Sequence, residues 1–148
     1  SEQARRVANL AERTYELCDF LVNVARLDTL PAKEFPAVLT YHDSCSGLRE
    51  LGVKTQPRAL LAKVQGVKLV EMSGCEECCG FGGTFSVKYG DISAAIAKRK
   101  CLNIKGSGAD GVVLGDLGCM LNIEGKLRRM GDERTRVFHI AEVLAGDA

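Results

Sequence analysis

The amino-acid sequence predicts an α/β fold: a parallel four-stranded sheet with helices on both faces, preceded by a long N-terminal helix. Short β-prone runs alternate with helical segments four times after residue 36. Strands and helices that alternate in this way build parallel sheets through right-handed crossovers. Glycine, proline or aspartate stands near most segment boundaries, as expected for turns and helix caps. These observations together indicate a Rossmann-like three-layer arrangement.

The first element is a predicted helix over residues 4–27, because apolar side chains recur there at intervals of three and four. Pro31 and Pro36 then bracket a short connection. We therefore divide the chain into an N-terminal helix and linker, residues 1–36, and an α/β domain, residues 37–148.

Within the α/β domain, β-prone composition predicts four strands, over residues 37–41, 67–72, 111–114 and 136–140. Pro57 fits the first turn of a helix over residues 58–64. Asp91 is predicted to cap the N-terminus of a helix that runs to Lys105 and stops at Gly106. Two further helices are predicted over residues 120–130 and 141–145.

Composition narrows the class of protein. Apolar residues make up 46% of the 148 positions and charged residues 26%, which is typical of a globular domain. The net charge is +1 with acids and bases interspersed, and aromatic residues are only 5% with no tryptophan. Neither a basic field nor stacking platforms are present, so we expect no nucleic-acid partner.

The seven cysteines indicate the compartment. No apolar stretch is long enough to cross a bilayer and no signal peptide is recognisable, so we expect a cytoplasmic protein without a transmembrane segment. In a reducing compartment clustered cysteines usually bind metal or act in catalysis. Because the chain starts at Ser1 rather than methionine, we expect a piece of a longer protein.

Four of the cysteines are spaced as ligands of a metal centre. Cys45 follows the first predicted strand, Cys78 and Cys79 follow the second, and Cys119 follows the third. The carboxyl ends of parallel strands lie at one edge of a sheet, where ligands bind. The glycines after the cysteine pair, in Cys78-Cys79-Gly80-Phe81-Gly82-Gly83, let backbone amides approach a cluster closely. An iron–sulfur cluster, held by four thiolates, is therefore the first hypothesis.

Two other interpretations of these cysteines stay open. Four thiolates also make a tetrahedral zinc site, although structural zinc usually takes two Cys-x-x-Cys pairs. The cysteines could also be small buried apolar residues, or form an adventitious disulfide.

The remaining cysteines have other predicted roles. Cys75 forms Cys-x-x-Cys with Cys78 and could be a fifth ligand, a redox partner or a loop thiol without a role. Cys18 and Cys101 lie on apolar faces of predicted helices, so we expect both in the core.

Charged residues and histidines near the cysteines are weaker candidates. Arg49 and Lys88 could offset cluster charge, but we expect each to be a solvated surface residue. His42 and His139, at strand ends, could be ligands or proton donors, or histidines hydrogen-bonded beside the site. No dinucleotide-binding fingerprint is present, so hydride chemistry on this domain is not supported.

Four sequence segments resemble the cysteine-rich CCG domain family. They are His42-Asp43-Ser44-Cys45, the run from Cys78 to Lys88, Gly118-Cys119-Met120-Leu121-Asn122-Ile123, and His139-Ile140-Ala141-Glu142-Val143-Leu144. Within that family the chain is most similar to the lactate-utilisation protein A branch, the iron–sulfur subunits of a bacterial lactate-oxidising complex. The resemblance runs along nearly the whole chain.

The resemblance implies a function and a set of ligands. Members carry two such units in tandem, and this chain resembles the second, so an N-terminal CCG unit of the full-length protein is an expected partner, as are other subunits of a lactate-oxidising complex. Carried over, Cys45, Cys78, Cys79 and Cys119 are cluster ligands. Related proteins hold a five-cysteine non-cubane cluster, but Asn122 replaces the last cysteine of the motif and Ser46 follows Cys45 where this branch often has histidine. Four thiolates suit an ordinary 4Fe–4S cube.

The sequence thus predicts an iron–sulfur electron-transfer domain of a multi-subunit oxidoreductase, with lactate or a similar 2-hydroxy acid as the substrate of the complex. We expect this domain alone not to be catalytic, although direct chemistry at the cluster is conceivable with Asn122 in the motif. The alternative is a zinc-bound or metal-free module that docks onto such a complex.

Overall fold

The computed structural model describes residues 1–32 and 34–147. In this part of the chain four parallel strands form one sheet in the order β2-β1-β3-β4. The strands are β1 (Ala37–Tyr41), β2 (Val67–Leu69), β3 (Gly111–Leu114) and β4 (Arg136–His139). The predicted four-stranded parallel sheet is confirmed. β2 ends earlier than predicted, because the chain leaves the sheet after Val70 and the Glu71 carboxylate turns to Arg58.

Seven helices surround this sheet within the described residues. They are α1 (Glu2–Glu12), α2 (Leu17–Asp19), α3 (Thr55–Leu61), α4 (Phe85–Lys88), α5 (Gly90–Gly106), α6 (Leu117–Arg129) and α7 (Ile140–Ala145). A π-helical turn, Phe20–Val24, continues α2, and a second one, Ser46–Glu50, follows Cys45. Neither π-helical turn was predicted, and neither was α4.

The N-terminal helix is present but shorter than the predicted span of residues 4–27. α1 ends at Glu12, where Thr14 Oγ1 donates a hydrogen bond back to the Leu10 carbonyl at 2.7 Å. Glu16 then has extended backbone, and its carboxylate accepts from the Asp19 amide and so caps a new helix. Local side-chain hydrogen bonds of this kind compete with a continuous helix. Every residue of α1 is exposed, whereas Cys18 in α2 is buried in the core.

Helix boundaries in the α/β domain follow from capping. Asp116 accepts from the Cys119 amide at 2.9 Å, so α6 starts three residues before the predicted Met120. Asp91 lies inside the first turn of α5 instead of capping it. Pro57 sits within α3, which begins and ends three residues earlier than predicted.

Two apolar clusters fill the two sides of the sheet. Alternate strand side chains, including those of Leu39, Tyr41 and Val113, pack with α3 and α7. The neighbouring positions, including Val112 and Leu114, pack with α5 and α6. Both faces of the parallel sheet are covered, which is the predicted three-layer architecture.

Candidate metal centre

The order of the strands directs the cysteines to one point. From β1 the chain moves to one side to form β2, and from β2 it crosses to the other side to form β3. Connections therefore diverge between the carboxyl ends of β1 and β3, where open α/β sheets bind their ligands. Cys45 follows β1 and Cys119 follows β3, while Cys78 and Cys79 come from the loop after the adjacent β2.

The inner part of the site consists of two cysteines and a histidine. His42 is 0% exposed, Cys79 1% and Cys119 8%. One ligand atom from each of the three residues lies within 4.8 Å of the others. Sulfur and imidazole nitrogen at this separation are suited to a common metal ion, because both are ligands for zinc and iron. The sequence left open whether His42 is a ligand or proton donor, or a histidine beside the site. In the structure its ring lies inside the site.

The outer part of the site consists of Cys45 and Cys78. Cys78 is exposed and Cys45 is half-buried, and Cys78 lies near enough to raise the pKa of Cys45. Cys79 also lies near enough to Cys45 to affect its charge. The four predicted cysteines are therefore neighbours, and all seven cysteines of the chain are free thiols.

Of the two buried cysteines, Cys79 is favoured as a thiolate and Cys119 as a thiol. The hydrogen bond from Cys119 lowers the pKa of Cys79, burial opposes this, and the nearby His42 ring lowers it further. The same hydrogen bond, together with burial, raises the pKa of Cys119. Burial, followed by the neighbouring Cys78, raises the pKa of Cys45, and Arg49 acts in the opposite direction. Because metals bind the thiolate form, metal binding here releases protons.

The structure explains why a glycine, Gly80, follows the cysteine pair. Gly80 has a φ of +88°, and a Cβ built on it would lie 2.6 Å from the Ser93 carbonyl oxygen in α5. Ser93 Oγ also donates to the Gly80 carbonyl at 2.6 Å. The Gly80 amide, in turn, donates to Cys78 Sγ at 3.2 Å. Glycine therefore lets the loop lie against α5 and aims an N–H at a sulfur.

A second glycine allows the aromatic ring of the loop to approach Cys119. A Cβ on Gly118 would lie 2.5 Å from Phe81 Cε1, so the ring rests on the first turn of α6. Cys119 lies in that same turn, so the Phe81 ring packs next to this candidate ligand.

Asn122, where the family motif has its last cysteine, forms a hydrogen bond to the loop. Its Nδ2 donates to the Cys79 carbonyl at 2.9 Å, one helical turn from Cys119. Asn122 thus connects α6 to the Cys-Cys-Gly turn.

Cys75 faces a different set of groups. Burial raises the pKa of this thiol, with Asp43 and Glu71 adding to the effect. The Cys75 carbonyl accepts from the Asp43 amide at 3.0 Å, so its backbone links the loops after β1 and β2.

Two charged residues beside the site, the half-buried Arg58 and the buried Lys100, were missed by sequence reasoning. Arg58 in α3 binds both carboxylate oxygens of Asp43 and also contacts Glu71. Lys100 in α5 is 1% exposed, and its Nζ donates to the Gly74 carbonyl at 2.6 Å. A signal for Lys100 existed, because it stands next to Cys101 on the predicted apolar face of its helix.

The other residues that the sequence singled out lie away from this centre or at its surface. His139 caps α7, with Nδ1 accepting from the Ala141 amide at 3.1 Å. Cys18 and Cys101 are core residues, as predicted. Arg49 is exposed beside Cys45, and Lys88 is exposed at the end of α4. Among residues 1–32 and 34–147, no helix has the length and apolar character needed to cross a membrane.

Comparison with known proteins gives the family. Residues 39–124, which include all four candidate ligands, match the family model described as "Cysteine-rich domain", CCG. The chain is 42% identical over 145 residues to lactate utilization protein A 2 of Bacillus cereus (strain Q1), covering 98% of this chain and 59% of the relative. It is 47% identical over 143 residues to lactate utilization protein A of Geobacillus thermodenitrificans (strain NG80-2), covering 97% and 58%. The chain thus spans under two thirds of the length of these curated relatives. From its cysteine turn, its parallel sheet and the matched family model, the chain belongs to the CCG cysteine-rich domain family.

Proposed function

We propose that this chain is an iron–sulfur-binding electron-transfer domain of a multi-subunit oxidoreductase that oxidises lactate or a similar 2-hydroxy acid. The observation that carries the proposal is the convergence of Cys45, Cys78, Cys79 and Cys119 at one edge of the sheet. The link to lactate comes from the names of the relatives, lactate utilization protein A of Geobacillus and lactate utilization protein A 2 of Bacillus.

The donor set fits an iron–sulfur cluster. Four free thiols come from three separate parts of the chain, the loops after β1 and β2 and the first turn of α6, and one of them, Cys79, is already favoured as a thiolate. The Gly80 amide donates to a cysteine sulfur, as backbone amides around clusters do. When bound, a cluster supplies one-electron transfer at a potential set by charge and hydrogen bonding. The protein's part is to hold the thiolates, provide nearby positive charge from Lys100 and Arg49, and shield the inner pair from water.

The number of thiolates favours an ordinary 4Fe–4S cube. Asn122 is occupied with the Cys79 carbonyl, and Cys75 faces Asp43. We keep Cys75 as a further candidate ligand, because it belongs to the same loop as Cys78 and would complete a five-thiolate set.

Zinc is the second candidate, and one observation favours it. Ligand atoms of His42, Cys79 and Cys119 lie within 4.8 Å of one another, which is compact enough for one metal ion. Two cysteines and one histidine are also the protein ligands of some zinc sites. In this interpretation the domain is a zinc-bound docking module of the same complex.

The proposed partners follow from the relatives and from chain length. We propose that other subunits of a lactate-oxidising complex, and an N-terminal CCG unit of the full-length protein, contact this domain in the cytoplasm. Residues 37–148 are the proposed CCG domain, and residues 1–36 are the proposed N-terminal helix and linker.

Metal analysis of anaerobically purified and reconstituted protein tests the proposal. We expect about four irons and four sulfides per chain and a broad visible absorption band. Cys78→Ser and Cys79→Ser should lose most of this iron. Cys18→Ser is the matched control, because Cys18 is buried on the other side of the sheet and should keep the full iron content.

Other results separate the alternatives. A colourless protein with about one zinc per chain, unchanged by iron and sulfide, contradicts the iron–sulfur proposal and supports the docking module. Cys75→Ser with full iron restricts the ligands to four cysteines, whereas loss of iron in this variant makes Cys75 a fifth ligand.

A further inference from the structure

His42 is buried, and its ring has no nitrogen or oxygen partner among the described residues. It is 0% exposed, and the polar side-chain atoms beside its ring are the sulfurs of Cys79 and Cys119. Buried polar groups in folded proteins almost always have a partner, so two orphaned nitrogens on one ring need an explanation. The other histidine of the chain, His139, has a conventional role as a helix cap. Of the two histidines, only His42 therefore needs a further explanation.

The position of His42 supplies that explanation. It comes directly after β1, and its amide donates to the Val113 carbonyl of β3 at 3.0 Å, so the sheet holds its backbone. The ring lies on the side of the sheet that carries Cys79 and Cys119, with ligand atoms of all three residues within 4.8 Å. A buried imidazole whose ring nitrogens have no nitrogen or oxygen partner among the described residues, and which lies beside two cysteine sulfurs, is a ready metal ligand.

The described part of the chain also has no third cysteine beside Cys79 and Cys119, because Asn122 stands where the motif that the chain resembles has its last cysteine. The side-chain amide of Asn122 is engaged with the Cys79 carbonyl, and Cys75 faces Asp43 and Glu71. His42 is the donor that lies beside the buried cysteine pair and is not engaged elsewhere among the described residues.

We infer that His42 is a nitrogen ligand of the metal centre, alongside Cys79 and Cys119. This inference rests on the iron–sulfur function proposed above and deepens it. An imidazole is neutral where a thiolate is negative, and histidine ligands raise the potential of Rieske centres relative to all-cysteine clusters. The consequence is a mixed nitrogen and sulfur site with a higher reduction potential than the same site would have with a thiolate in place of His42.

Nitrogen-detected pulsed EPR of the reduced, reconstituted chain tests the ligand directly. The chain has two histidines, so 15N-histidine labelling of the His139→Gln variant leaves His42 as the single labelled residue. We expect a strong 15N coupling in this variant, of the size given by a directly bound imidazole. A full cluster whose spectrum shows no coupling, or only the weak coupling of a nitrogen outside the coordination sphere, overturns the inference and leaves the proposed function standing.

Wild-type protein that takes up no iron is a different outcome, because it overturns both the proposed function and this ligand assignment. The labelled protein retains His42, so the measurement does not depend on whether a His42 variant folds.

Substitution gives a second, independent readout. His42→Cys restores a ligand, so it should retain the cluster with a lower reduction potential than the wild type, whereas His42→Leu should lose iron. A merely structural role for the ring predicts that Cys and Leu behave alike, and equal iron contents and potentials in the two variants contradict ligation.

Discussion

Arg58 binds both carboxylate oxygens of Asp43, with Nη1 to Oδ1 at 2.8 Å and Nη2 to Oδ2 at 2.7 Å. The Asp43 side chain is 0% exposed, and Asp43 follows His42 directly in the chain. Arg58 also reaches Glu71, and its pKa is raised because hydrogen bonds to Asp43 and Glu71 outweigh the opposing effect of burial. One guanidinium in α3 thus holds the loops after β1 and β2, which carry three of the candidate ligands.

Arg58→Ala should destabilise the fold strongly, because it leaves a buried carboxylate without a counter-charge. Breaking such a pair costs about 3–5 kcal/mol of the free energy of unfolding. Urea denaturation measures it. Arg99→Ala is the control: the Arg99–Glu77 pair is mostly exposed, and its loss should cost about 1 kcal/mol or less. Equal losses of unfolding free energy in the two variants would show that the Arg58–Asp43 pair stabilises the fold no more than an exposed ion pair.

Gly80→Ala should disturb the cysteine turn. The new methyl group would meet the Ser93 carbonyl at 2.6 Å in a backbone region that alanine disfavours, so we expect a loss of about 1–3 kcal/mol and reduced iron uptake. Gly83→Ala separates the effect of the positive φ from the effect of the contact with Ser93, because Gly83 also has positive φ but has open space around it. We expect a smaller effect there, and equal effects would mean that the contact with α5 is unimportant.

Asn122→Ala should weaken the link between α6 and the Cys-Cys-Gly turn without removing a ligand. Loss of the hydrogen bond to the Cys79 carbonyl should lower the free energy of unfolding by about 0.5–1.5 kcal/mol, with full iron content. Asn122→Asp has the same shape but no donor, so it should be destabilised as well. Loss of iron from a stable Asn122→Ala protein would instead identify Asn122 as a ligand.

Residue patterns predicted the sheet and the meeting of the cysteines because both follow from local runs and parallel topology. Four β-prone segments, each followed by a cysteine or histidine, were enough to place Cys45, Cys78, Cys79 and Cys119 at one edge. The break in the N-terminal helix was not predictable in this way, because periodicity does not register the cap that Glu16 provides.

Contacts between residues distant in sequence were the other feature that the sequence could not predict. Arg58 and Asp43 are fifteen positions apart, and nothing in their local sequence pairs them. Gly80 could be recognised as a turn glycine, but its contact with Ser93 requires the loop to be packed on α5. The buried position of His42 likewise depends on parts of the chain that are distant in sequence, the loop with Cys79 and the first turn of α6 with Cys119.

Asp132 should make the fold sensitive to acid. Hydrogen bonds, the Thr135 hydroxyl first, lower the pKa of this carboxyl to about 2. A lowered folded-state pKa stabilises the protein above the unfolded value of about 3.9, and this contribution is lost as pH falls towards 2. Asp132→Asn should therefore show a weaker dependence of thermal stability on pH between about 4 and 2 than the wild type. If the melting temperatures of the two proteins fall equally over this pH range, Asp132 is not the source of the acid sensitivity.

Lys100 should raise the reduction potential of a cluster at this site. Its Nζ donates to the Gly74 carbonyl at 2.6 Å, so an ammonium at this position faces the cysteine loop. Burial lowers the pKa of this ammonium, and the nearby Glu77, Cys75, Cys79 and Asp43 oppose that effect. Reduction adds negative charge, which a fixed positive charge stabilises, and the interaction is strong where water is excluded. Lys100→Met should therefore lower the potential in a potentiometric titration. Lys98→Met removes an exposed charge from the same helix and should change the potential far less. Equal shifts would indicate a general effect of net charge, and no shift in either variant would mean that Lys100 only holds the Gly74 carbonyl.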